Sequence, residues 1–178
     1  MNGKSLVAWL LSWLQQCMLR RAPQADPVSK TALGWSLVAY LTMDLLQART
    51  SSDWSTSLGM TTLDTLIMIL FSWSVLRLTK KTARYMQTLT ALAGTGVVLG
   101  LVGLRLIQQA AQAHLDEGPA GTLVLGWLML LVWSISVQAH IYRHALSMRY
   151  GAGLLVAGLQ MILAISLLET LFPQAAGS

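Results

Sequence analysis

The chain has 178 residues, 54% of them hydrophobic and only 11% charged, with a net charge of +5. A water-soluble domain of this length carries about 25% charged residues to coat its surface; here the apolar residues fall in long runs instead, which excludes an ordinary soluble domain. The basic residues sit in short clusters between those runs, as topology signals do, so no nucleic-acid partner is expected. The pattern predicts an all-α membrane protein: a bundle of about five transmembrane helices preceded by an amphipathic interfacial N-terminal helix.

Residues 1–22 form the first element. Leu6, Trp9, Leu10, Trp13, Leu14 and Cys17 recur at three- and four-residue spacing and make one helical face. Ser5, Ser12, Gln15 and Gln16 lie on or near the other side. The stretch is shorter than the ~20 residues a span usually needs, and its tryptophans and terminal basic residues suit a helix lying in the membrane interface. Lys4 before an apolar stretch has the look of a secretory leader. However, Arg20 and Arg21 follow it and no small-x-small cleavage site precedes Pro23, so the segment is expected to be retained. Pro23 and Pro27 make residues 23–30 a linker.

Five spans follow, over residues 31–48, 60–78, 86–108, 121–139 and 151–172, making a transmembrane domain of 31–173 with a short tail, 174–178. Between the first two spans, Arg49 to Gly59 reads as a polar loop with Trp54 as an interface anchor. Between the third and fourth lies a loop with His114, Asp116, Glu117, Gly118 and Pro119. With the N-terminus cytoplasmic and the C-terminus outside, Lys4, Arg20, Arg21, Lys30, Arg77, Lys80, Lys81, Arg84, Arg143 and Arg149 all fall on the cytoplasmic side. Only Arg49 and Arg105 of the twelve basic residues do not. The expected location is a bacterial inner membrane.

Charged residues within spans are the first candidates for chemistry, since an Asp or Arg at a span's centre costs at least about 2.5 kcal/mol. Asp44, Asp64, Arg105 and Glu169 all fall in the outer half of the bundle by helical rise and form a candidate polar network, with Asp44 and Asp64 the deeper pair. Arg105 is expected to contact Glu169 first and Asp64 or Asp44 second. His140 and His144, four residues apart on one face, are a weaker candidate site. A zinc site needs three or four ligands, and the other histidine, His114, is expected on the opposite side. Neither a metal nor any other cofactor is predicted, and the single cysteine, Cys17, has no partner for thiol exchange. Gly96, Gly100 and Gly103 in the third span, and Gly153 and Ala157 in the fifth, give small-residue faces that let helices approach closely, within this chain or between chains. No HExxH, GxSxG or phosphate loop is present.

The leading expectation is therefore a non-enzymatic accessory or scaffold subunit that packs, beyond the lipid bilayer itself, with other membrane subunits or as a homo-oligomer. The alternative is a small proton- or cation-coupled transporter or channel that uses the intramembrane carboxylates.

Overall fold

The computed structural model describes residues 3–116 and 120–173, and every regular element among them is helical. Six α-helices follow in order: α1 (Gly3–Cys17), α2 (Lys30–Ala48), α3 (Trp54–Leu78), α4 (Tyr85–Asp116), α5 (Ala120–Leu146) and α6 (Tyr150–Leu171). Glu117, Gly118 and Pro119 of the expected loop and the 174–178 tail lie outside the described residues, as do the side chains of Lys4, Ser5, Leu6, His114 and Asp116.

The helix ends follow from local chemistry. Ser29 caps α2 by accepting the Ala32 N–H at 3.2 Å. Asp53 caps α3 by accepting the N–H groups of Ser55 and Thr56. Those bonds, with the Ser55 hydroxyl, hold the Asp53 carboxyl well below the usual carboxylate range. This cap starts α3 at Trp54, so the loop expected through Gly59 ends six residues sooner. Three helices end in the same way. The N–H groups of Arg20, Lys81 and Met148 bond to the carbonyls of Gln15, Leu76 and Arg143, around Leu19, Lys80 and Ser147 in the left-handed region. Glycine usually fills that position; here none of the three is glycine.

Four helices among the described residues are long and apolar enough to cross a membrane: Trp54–Leu78, Thr82–Gln112, Gly121–Leu146 and Tyr150–Leu171. The chain is thus an integral membrane protein. The α2 helix, expected as the first of five spans, is not among the four, because Ser36, Tyr40, Thr42, Asp44 and Gln47 dilute its apolar residues.

Helix α4 is the centre of the bundle and packs against α1, α2, α3 and α5, while α6 is held against α5 and α3. One end of the bundle is basic. There the Lys81 ammonium donates to the Leu146 carbonyl, and the Arg84 guanidinium donates to the carbonyls of His144 and Ala145 at 3.1 Å each. The carbonyls that α5 leaves open at its C-terminus are thereby satisfied by cations, which also suit the negative end of the helix dipole. The core at this end joins Leu76, Val137, Ile141 and Tyr142, with Phe71 edge-on to Tyr142 at 6.2 Å. At the opposite end the Phe172 ring covers Gly59 so closely that a Cβ there would fall 2.7 Å from it. The large side chains Leu70, Met129, Val132, Leu155 and Leu159 point outward, while buried serines and threonines share the inside with the apolar core. Buried hydroxyls such as Ser72, Thr88 and Thr95 bond back to carbonyls of their own helix, as a lipid environment demands.

The N-terminal helix departs from the simple amphipathic expectation. Its buried face is Ser12, Trp13, Gln16 and Cys17, whereas Val7, Leu10, Leu11, Leu14 and Met18 are exposed. Two of the residues assigned to its polar side therefore face the protein. The reason is Asp26 in the linker. Its buried carboxylate accepts from the Ser12 hydroxyl, from Gln16 Nε2 at 2.7 Å and from Arg21, whose Nη2 forms a 2.9 Å ion pair with it. Gln87 Nε2 donates to the Asp26 carbonyl at 2.6 Å, tying this knot to α4. Trp13 lies on Gly94, where a Cβ would meet the indole at 2.3 Å, and Trp133 Nε1 donates to the Cys17 carbonyl at 2.8 Å.

Candidate functional site

The polar residues of α2 recur on one face. Tyr40, Asp44 and Gln47 are three and four residues apart, so one helical stripe carries all three. That stripe lies against the glycines of α4. A Cβ at Gly96 would fall 2.5 Å from the Tyr40 ring, one at Gly100 2.6 Å from Met43, and one at Gly103 3.1 Å from Gln47 Oε1. The glycine face of the third expected span is thus filled by a helix of the same chain. The second small-residue face behaves similarly: Gly153 and Ala157 are buried, and a Cβ on Gly153 would sit 2.5 Å from the Ala139 carbonyl of α5.

This close packing carries Asp44 and Asp64 to one place. Asp44 lies 14 residues beyond Lys30 and Asp64 lies 14 residues before Leu78, so each stands about 21 Å from the basic end by helical rise. Tyr40 stands between them: its hydroxyl donates to Asp64 Oδ2 at 2.5 Å, and it lies one helical turn before Asp44 on α2 and lines the Asp44 cavity with it. Thr61 sits beside Asp44, with its buried hydroxyl outside hydrogen-bonding geometry.

Two cavities meet at this seam. One, of about 570 Å³, is a groove over α4 between α2 and α5, lined by Tyr40, Asp44 and Gln47 on one wall and Trp127, Leu128 and Leu131 on the other. The second, of about 250 Å³, lies on the Asp64 side among α3, α4, α5 and α6. Tyr40, Gly96, Leu99 and Gln138 line both. Among the described residues no lysine or arginine lines either cavity.

The other expected members of the network stand apart. Arg105 and Glu169 are exposed, and the ion pair that forms among the described residues is Arg21–Asp26, not Arg105–Glu169. Helix α6 is held by α5 and α3 with Glu169 on its outer side, so similar depth along two helices did not bring the two residues together. His140 and His144 do meet, edge to face at 4.6 Å between ring centroids. His140 is buried with its Nε2 3.2 Å from the Arg21 carbonyl, and His144 accepts from Arg143 Nε at 3.3 Å. His140 therefore helps dock the segment that follows α1 against α5. Among the described residues no group of three or more His, Cys, Asp or Glu gathers as a metal site would require. Cys17 is buried, with its Sγ 3.9 Å from the Thr95 carbonyl.

Sequence reasoning missed Tyr40 and Asp26. Tyr40 carried a usable signal, its i, i+4 relation to Asp44. Asp26 carried none, because a lone acid between two prolines reads as solvated linker. Gln160 accepts from the Tyr142 hydroxyl inside the bundle, joining α6 to α5. Comparison with known protein families, with characterised proteins and with solved structures finds nothing that matches this chain.

Proposed function

We propose that this chain is a small membrane transporter or channel that handles protons or cations at Tyr40, Asp44 and Asp64. The observation that carries the reading is two acidic side chains at one depth, one of them bonded to Tyr40, with no basic side chain among the described residues lining the cavities around them. A carboxylate left ionised and unpaired within a bilayer is costly, so such a group holds a proton or a cation. Asp64 takes up a proton as its carboxylate becomes a neutral carboxyl, and Tyr40 provides a hydroxyl that can bond to either form. The cavities on the two sides of Tyr40 give solute and proton separate approaches to the seam.

In this reading α2 is a fifth crossing, made tolerable by burying Tyr40, Asp44 and Gln47 against α4, and α1 lies along the bundle with its leucines toward lipid. The ten basic residues that cluster at one end support a cytoplasmic N-terminus and an outer C-terminus. The accessory-subunit alternative has less to stand on, since α2 already fills the glycine face that would receive a partner helix.

Proton flux into vesicles reconstituted with the purified protein, followed with an entrapped pH dye, tests the proposal. Flux above that of empty vesicles should fall to the empty-vesicle level in Asp44→Asn and Asp64→Asn and persist in Arg105→Leu and Glu169→Gln. Flux equal to empty vesicles under both proton and monovalent-cation gradients, or flux untouched by both Asp substitutions, would remove it.

A further inference from the structure

The groove between α2 and α5 has a composition that selects a ligand class. Its volume, about 570 Å³, lies within the ~300–1,000 Å³ range of sites for drug-sized molecules. Its α2 wall presents one formal charge, Asp44, with the polar tips of Tyr40 and Gln47. Its α5 wall is apolar over Val124, Trp127, Leu128 and Leu131, which are also exposed on the outside of the bundle, and carries Ser134 and Gln138 further along the helix. The charge is therefore about 21 Å from the basic end, behind a rim that opens toward lipid rather than water.

Each candidate occupant can be weighed against this lining. An anionic amphiphile meets Asp44 with no arginine or lysine to offset it. A hard inorganic cation asks for six or more oxygen ligands; it would draw on Asp44, Gln47, Ser134 and Gln138 and leave the apolar stretch of Val124, Trp127, Leu128 and Leu131 unused. An organic cation satisfies both walls at once. Its positive centre neutralises Asp44, and its apolar body lies on Leu128 and Leu131. The Trp127 ring adds an attractive face for a cation. The glycines at 96 and 100 form the floor, and they keep α2 close enough to α4 for Asp44 to reach the groove.

We propose that this groove binds an amphipathic organic cation, a quaternary or protonated amine or a phosphonium on an apolar body, taken laterally from the bilayer with Asp44 as its counter-ion. This rests on the reading of the seam as a cation-handling site and names its substrate class. The two carboxylates then divide the work, Asp44 facing the organic cation and Asp64, bonded to Tyr40 on the other cavity, facing the proton.

The test is equilibrium binding of tetraphenylphosphonium to the full chain in mild detergent, with tetraphenylborate as a probe of the same shape and opposite charge. Saturable phosphonium binding is expected, weakened by about 30-fold or more in Asp44→Asn, as loss of a desolvated charge partner implies. Asp64→Asn should bind nearly as the parent does. Leu131→Trp, which narrows the rim at an exposed position and leaves Asp44 in place, should also weaken binding while the protein elutes as the parent does. Equal binding of tetraphenylborate, or phosphonium binding unchanged by Asp44→Asn, would overturn the inference by showing apolar partition alone. Because binding is read without flux, the two proposals separate. Binding without proton or cation flux keeps this site and removes the transport reading, whereas flux without Asp44-dependent binding keeps transport and removes this site.

Discussion

Replacing Asp26 with alanine should undock α1. The carboxylate of Asp26 accepts from Ser12 and Gln16, whose side chains are 4% and 1% exposed, and from Arg21, whose side chain is 36% exposed. Arg21 can turn to water, so its loss costs little. Ser12 and Gln16 cannot; Gln16 Nε2 keeps only its 3.2 Å bond to the Ser12 hydroxyl, and each buried bond to Asp26 that is lost costs about 1–3 kcal/mol. The sum, about 2–6 kcal/mol, is a large share of the ~5–15 kcal/mol that holds a typical domain together. Unfolding in mild detergent followed by tryptophan fluorescence reads this directly, because Trp13 and Trp133 both lie at the α1 contact. The reasoning also predicts a rescue: adding Ser12→Ala and Gln16→Leu removes the stranded donors and should recover part of the loss. A change below about 0.5 kcal/mol, the scatter of ordinary surface substitutions, would refute the argument. A triple variant no more stable than Asp26→Ala would refute it too.

Leu19 sits in the left-handed region with φ 60° and is 40% exposed, so Leu19→Gly should relieve backbone strain and stabilise the chain by about 1 kcal/mol in the same unfolding assay. Gly153→Leu should push α6 off α5, since even a Cβ there falls 2.5 Å from the Ala139 carbonyl; a loss of about 1–3 kcal/mol is expected. Asp53→Ala should lower the melting temperature at neutral pH. Because the native carboxyl is held below its unfolded value, its contribution is full above the ordinary carboxylate range and fades as pH falls through the lowered value. The gap between parent and variant should therefore narrow in acid. A gap that widened in acid would contradict the cap.

The helical and membrane character was legible because long apolar runs and clustered basic residues are one-dimensional signals. The carboxylate pair was half legible. Counting helical rise from the basic clusters gives Asp44 and Asp64 a common depth, and the glycine spacing of Gly96, Gly100 and Gly103 announces a close helix contact. Which helix fills that contact depends on three-dimensional packing, and that is what turns Tyr40 toward Asp64. Depth alone misled for Arg105 and Glu169, since two residues at one height can point to different sides of a bundle. Periodicity gave only part of α1: its leucines are exposed, as a face turned toward the membrane requires, but a buried Asp26 draws Ser12 and Gln16 of the polar side inward.

The central claim is that the seam between α2 and α3 holds a titrating carboxyl inside the membrane. Infrared difference spectra of the protein in lipid, recorded between acid and alkaline buffer, test it most directly, because a protonated carboxyl has a C=O stretch that a carboxylate lacks. A titrating C=O band is expected in the parent that survives Glu169→Gln and disappears when Asp44→Asn and Asp64→Asn are combined. A band that persists in that double variant, or the absence of any such band in the parent, would contradict it.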